Sequence, residues 1–190
     1  MTLKKWLQAE QFPLALITVM VLTRYHHFGD VLHLPDASLA VFFFAGFYRN
    51  KALLGFLLAL AAMIDYLAIA NGTSSYCVSP AYIFLIPTYA VMWMIGRHWA
   101  TLRVKNWLQL AQSSAGLVVA CSLAFLISNA SFYWFSGRFG DLSWLDYSQR
   151  VAHYFPLYLG STVVYGLLAW GVVYLVNALL EHKAHQDTTE

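Results

Sequence analysis

The chain has 190 residues, of which 60% are hydrophobic, 17% aromatic and 11% charged, with a formal net charge of +2. Soluble domains carry about 25% charged and 45–50% apolar residues, so this composition excludes an ordinary water-soluble core. The small net charge argues against a nucleic-acid partner. The bilayer is the natural solvent for such a chain, and the length suits one membrane domain, residues 1–190, of about six spans.

In chain order, Lys4 and Lys5 precede an apolar run that ends in Arg24-Tyr25-His26-His27. No small-residue cleavage site follows, so the run is expected to remain as a first span over 8–28. A second, ASLAVFFFAGFY within 35–48, is short. Both need shelter from protein or a water-filled cavity. The third span is expected over 52–70. The polar island NGTSSYCVSP at 71–80 then splits a long apolar run and starts a fourth span over 81–99, with Pro80 at its entry. Fifth and sixth spans follow over 107–131 and 154–180, and the tail EHKAHQDTTE reads as a solvated end. The expected fold is therefore an all-α membrane bundle.

Basic residues set the orientation. With both termini cytoplasmic, Lys4, Lys5, Arg49, Lys51, Arg97, Arg103, Lys105 and Lys183 face inward, against Arg24, Arg138 and Arg150 outward. That asymmetry satisfies the positive-inside rule. The outer segments are then 25–36, 71–80 and 132–153. The first holds His26, His27, Asp30, His33 and Asp36. The third, about a third aromatic, reads either as an interfacial aromatic belt or as a lid over a large, flat, partly apolar ligand. Along the fifth span Ala111, Ala115, Ala120 and Ala124, with Ser113, Ser114 and Gly116, allow close helix approach, within the bundle or against a partner.

Two residues stand out chemically. Asp65 lies deep in an apolar span that holds no basic residue. A carboxylate there costs about 2.5–3.5 kcal/mol on insertion scales, so it should face the interior and pair, with Arg24 and Arg150 as candidate partners. Its role is either to hold helices together or to line a ligand pocket. Cys77 is the other. Cys121, mid-span, reads as a small core residue, leaving Cys77 unpaired on the oxidising side. It is incidental there, or a nucleophile, or a soft-metal ligand. No Cys-x-x-Cys spacing supports a protein-only metal site, whereas a metal arriving already chelated in a macrocycle needs only one more ligand.

The six spans, small size, cytoplasmic termini, outward pocket and lone Cys77 before the fourth span resemble the substrate-binding S components of energy-coupling-factor (ECF) transporters. The likeness is to their cobalamin-specific, solitary branch from Gram-negative bacteria. It covers the whole membrane domain and implies a multi-pass protein of the bacterial inner membrane that binds vitamin B12 and related corrinoids. Cys77 matches the cobalt-ligating cysteine. The resemblance implies that His26 or His27, Asp65, Tyr82 and Arg150 line the pocket, with Tyr76 beside the cysteine. S components often dock on their partner through Ala-x-x-x-Ala in the first span. FPLALITVMVLTRY lacks it, which favours action without a standard ECF module.

Corrinoid chemistry agrees with these residue types. A thiolate suits one axial position of a polarisable metal, amide groups at the corrin rim meet Asp, Arg, Tyr and Ser, and the apolar faces meet aromatic rings. A Cys77 thiolate would compete with cyanide on cobalt, so decyanation of cyanocobalamin is an expected activity. No phosphate-binding loop is present, so any ATP use is borrowed. Competing readings are a haem-b anchor or quinone-linked electron carrier gripping haem through His26, His27 or His153, an S component for another vitamin, and a membrane hydrolase with Cys77 as nucleophile. The sequons at Asn71 and Asn129 carry no weight in a bacterial chain.

Overall fold

The computed structural model describes residues 11–26, 35–101, 106–140 and 143–186. These residues form helices and turns, with no strand among them. Helix α1 spans Gln11–His26, α2 Ser38–Phe47 and α3 Lys51–Ala70. Two 3-10 turns, Ser75–Cys77 and Pro80–Phe84, lead into α4, Leu85–Trp99. Helix α5 covers Trp107–Phe135 and α6 Trp144–Gln186. Lys51–Ala70, Trp107–Phe135 and Trp144–Val176 are long and apolar enough to cross a membrane.

Local chemistry marks the element ends. Asn50 caps α3, its side-chain oxygen accepting from the Ala52 N–H at 2.9 Å. Arg49, at φ 54°, makes the sharp turn out of α2. Asn106 caps α5 by accepting from the Gln109 N–H at 2.9 Å. Pro80 stands at the first position of its 3-10 turn, where its missing N–H costs nothing.

The short second segment has the shelter that its length requires. Helix α2 has 10 residues, a rise of about 15 Å against a hydrocarbon core of about 30 Å. Every residue from Ser38 to Gly46 is buried. It is the axis of the molecule, with Phe42, Phe43 and Phe44 among the most enclosed side chains. Two glycines let α4 lie directly against it. A Cβ on Gly96 would overlap the Phe43 carbonyl oxygen, and one on Gly46 would come within 2.6 Å of the Arg97 nitrogen.

The small-residue stripe of α5 is mostly internal. Ser113, Gly116, Ala120 and Ala124 are buried, and a Cβ on Gly116 would stand 2.6 Å from the Trp99 Cβ. Ala111 and Ala115 are exposed. Cys121 is fully buried and unpaired, its thiol 3.4 Å from the Thr162 hydroxyl, as expected of a core residue.

The segment 132–153 holds more helix than the expected span bounds of 107–131 and 154–180 allow. Much of it is helical: α5 continues to Phe135 and α6 starts at Trp144, so the connection shrinks to 136–143. The cause is a cap at Ser143. Its hydroxyl accepts from the Asp146 N–H at 3.1 Å and donates to the Asp146 carboxylate at 2.7 Å, a reciprocal start signal of the Ser-x-x-acid type. At the other end α6 runs on through Gln186, so much of the supposed tail is helix.

Candidate ligand-binding site

Side chains from four helices and the second 3-10 turn converge at one end of the bundle around a buried arginine. Thr23 and Arg24 end the buried stripe of α1, and Arg24 is 6% exposed. Its Nε donates to Asp65 Oδ1 at 2.7 Å and its Nη2 to Asp65 Oδ2 at 2.6 Å. This is the two-pronged geometry that makes Arg–carboxylate pairs strong. Nη1 reaches Asp36 Oδ2 and Ser38 Oγ, each at 3.1 Å, and Tyr89 Oη at 2.6 Å. Tyr82 Oη donates to Asp65 Oδ2 at 2.7 Å. Asp36 Oδ1 in turn accepts from the Ser38 N–H at 2.9 Å, at the start of α2.

The network ties together α1, the entry of α2, α3, the second 3-10 turn and α4. Phe42 stacks on Tyr89 with ring centroids 4.2 Å apart, which holds the phenol toward Arg24. One guanidinium faces two carboxylates here. Of the two partners open to Asp65 from the sequence, the structure selects Arg24.

Above this network lies a cavity of about 240 Å³. Its wall includes Arg24, Asp65 and Tyr82 on one side and Asn129, Phe132 and Arg150 on the other. The two sides differ in chemistry. Arg24 and Asp65 are bonded to each other and their neighbours, whereas Arg150 Nε and Asn129 Oδ1 are buried without a hydrogen-bond partner. Such a group costs about 1–3 kcal/mol while unsatisfied. Arg150 is held by rings: its Cζ lies 4.7 Å from the Tyr154 centroid, 5.3 Å from Phe139 and 5.4 Å from Phe132. Cation–π attraction fixes its position and leaves its N–H groups available.

Of the residues singled out from the sequence, Asp65, Tyr82 and Arg150 meet in this one cavity. Tyr76 is not part of the cavity wall; it is half exposed, with its ring 6.0 Å from that of Phe132 and under the Arg138 guanidinium at 4.8 Å. For Cys77 and His26 the structure describes the backbone: Cys77 closes the first 3-10 turn, two residues before Ser79 and Pro80, and His26 ends α1. His27, Asp30 and His33 lie outside the described residues. His153 is exposed on α6, against Tyr154.

Many of the aromatic rings of 132–153 pack on one another. Trp134 meets Tyr147 at 4.6 Å and Trp144 at 5.1 Å between centroids. The Tyr133 hydroxyl donates to the Ser143 carbonyl at 3.0 Å and accepts its N–H at 2.9 Å. These rings brace the α5–α6 turn, and Phe132 is the one among them on the cavity wall. Asn129 was missed as a site residue because its sequence context reads as a glycosylation motif. A single amide in the apolar run LAFLISNASF was the available signal.

Fold and site together define an all-helical bundle, with three helices long and apolar enough to cross a membrane and a cavity at one end that mixes charged, amide and aromatic side chains. A scan against protein-family models and a search of curated proteins both found no match.

Proposed function

We propose that the protein is a six-span, inner-membrane binding and transport protein for vitamin B12 and related corrinoids, with both termini cytoplasmic and the cavity facing outward. The observation that carries this reading is the cavity itself. It joins Asp65, Tyr82 and Arg150 and leaves polar groups unmet, at the end of the bundle that bears the turn Ser75–Cys77. Arg49 and Lys51, at the junction of α2 and α3, and Arg97, in the last turn of α4, lie at the other ends of their helices and support the orientation. Full enclosure of α2 supports counting it as a span, since its backbone bonds are satisfied without lipid contact.

Size defines how a corrinoid would sit. Drug-sized ligands fill pockets of about 300–1,000 Å³, so a 240 Å³ cavity takes a peripheral part of the substrate and not its ring. The ring would lie at the mouth, over the cavity and beside Cys77, whose thiolate would take one axial position on the substrate's cobalt. A thiolate bound there displaces cyanide from cyanocobalamin as a ligand exchange without net oxidation or reduction. Arg150, held among rings, would donate to oxygen acceptors at the corrin rim. The Arg24–Asp65 network would keep the floor rigid.

The test is the absorbance spectrum of purified protein mixed with cyanocobalamin. Wild type is expected to show a shifted cobalt spectrum and to retain colour after washing, and Cys77→Ala to lose the shift. An identical shift in both proteins would remove the thiol as ligand, and a colourless washed wild type would remove the corrinoid reading.

A further inference from the structure

We propose that Asn129 is a substrate-binding residue that, together with Arg150, recognises one primary carboxamide on the substrate. The proposal rests on the corrinoid reading, since that substrate class carries carboxamides around its ring. It is carried by a separate observation. Asn129 is 8% exposed, lines the cavity, and keeps its Oδ1 without a donor. Arg150, on the same wall, keeps its Nε–H without an acceptor.

The two needs are opposite in sense. Asn129 Oδ1 wants an N–H, and Arg150 Nε wants an oxygen. A carboxamide offers both from a single carbon, its NH₂ to Asn129 and its carbonyl oxygen to Arg150. A carboxylate in the same place satisfies Arg150 and sets an acceptor against an acceptor at Asn129. An ester or alkyl group leaves one or both atoms bare. A site built to hydrogen-bond a group rejects the analogue lacking it, because its own buried polar atoms stay unpaired.

The carboxylate side of the cavity does not compete for this group. Asp65 has both oxygens engaged by Arg24, and Tyr82 is engaged on Asp65. The cavity volume, 240 Å³, suits a side-chain amide entering ahead of a larger body. The geometry thus assigns α5, through Asn129, a part in substrate selection beside Asp65, Tyr82 and Arg150.

The experiment measures binding of cyanocobalamin and of its derivatives in which single peripheral carboxamides are hydrolysed to carboxylates, to wild type and to Asn129→Leu. In wild type, one derivative is expected to bind about tenfold more weakly than the parent, the effect of one buried hydrogen bond lost. In Asn129→Leu, the parent is expected to weaken by about tenfold and the gap to that derivative to close to within about twofold. Wild type binding every derivative as well as the parent overturns the proposal without need of the variant, and so does a variant that keeps the parent's affinity and the gap. If Asn129→Leu fails to fold, Asn129→Ser is read by the same two criteria. Failure of wild type to bind cyanocobalamin at all overturns the corrinoid reading and this proposal with it, and is told apart from the other outcomes by the wild-type spectrum.

Discussion

Replacing Arg24 by methionine is expected to lower the unfolding free energy by about 3–5 kcal/mol, the usual result of removing one partner from a buried ion pair. The substitution keeps most of the side-chain volume and removes the charge. It leaves Asp65 buried and Asp36 half-buried without their shared cation, and it strips Tyr89 and Ser38 of a donor. Asp65→Asn should cost less. Arg24 then retains Asp36 at 3.1 Å, and the asparagine oxygen still accepts one N–H. The ordering follows from the arrangement of one cation against two anions. Thermal unfolding in detergent measures it, and an Asp65→Asn loss equal to or above that of Arg24→Met contradicts the assignment of Arg24 as the centre of the network.

Gly96→Ala is expected to cost about 4 kcal/mol or more, or to prevent folding, because overlap with backbone has no rotamer remedy. The added methyl would collide with the Phe43 carbonyl and approach its carbon at 2.8 Å. Relief requires α4 to move away from α2, and α4 carries Tyr89 to Arg24. The damage should therefore reach the cavity floor as well as the helix crossing. Gly55→Ala is the matching control. Its position in α3 has nothing within 4 Å, so a change within about 1 kcal/mol, in the stabilising direction, is expected. Equal losses at the two positions in the same unfolding measurement would remove the crossing from the explanation.

Sequence reasoning reached the parts of this structure that rest on solvation. The apolar composition pointed to the bilayer. The isolated carboxylate of Asp65 demanded a partner, and two arginines were near enough in topology to supply it. Choosing between them required the geometry that brings α1 against α3. Gly46 and Gly96 were invisible, since a glycine in a helix shows its use only when the opposing backbone is known. The start of α6 was legible in Ser143 and Asp146, but the density of aromatic residues around them drew attention to ligand binding and away from the cap. Asn129 carried its signal in its polarity amid apolar neighbours. What the amide faces depends on α6, which follows it in the chain and brings Arg150.

The enclosure of α2 constrains how the chain is made. A ten-residue helix that meets protein all round has no finished environment when it leaves the ribosome, because α4 and α6 have yet to be synthesised. Insertion must hold it shallowly, near the lipid headgroups, until Gly96 arrives and the crossing can close. Biogenesis of this bundle thus has an obligatory late step, the burial of an early segment by later ones. A chain arrested before residue 96 should leave α2 open to a water-soluble thiol reagent at a cysteine introduced there, and the completed protein should shield it.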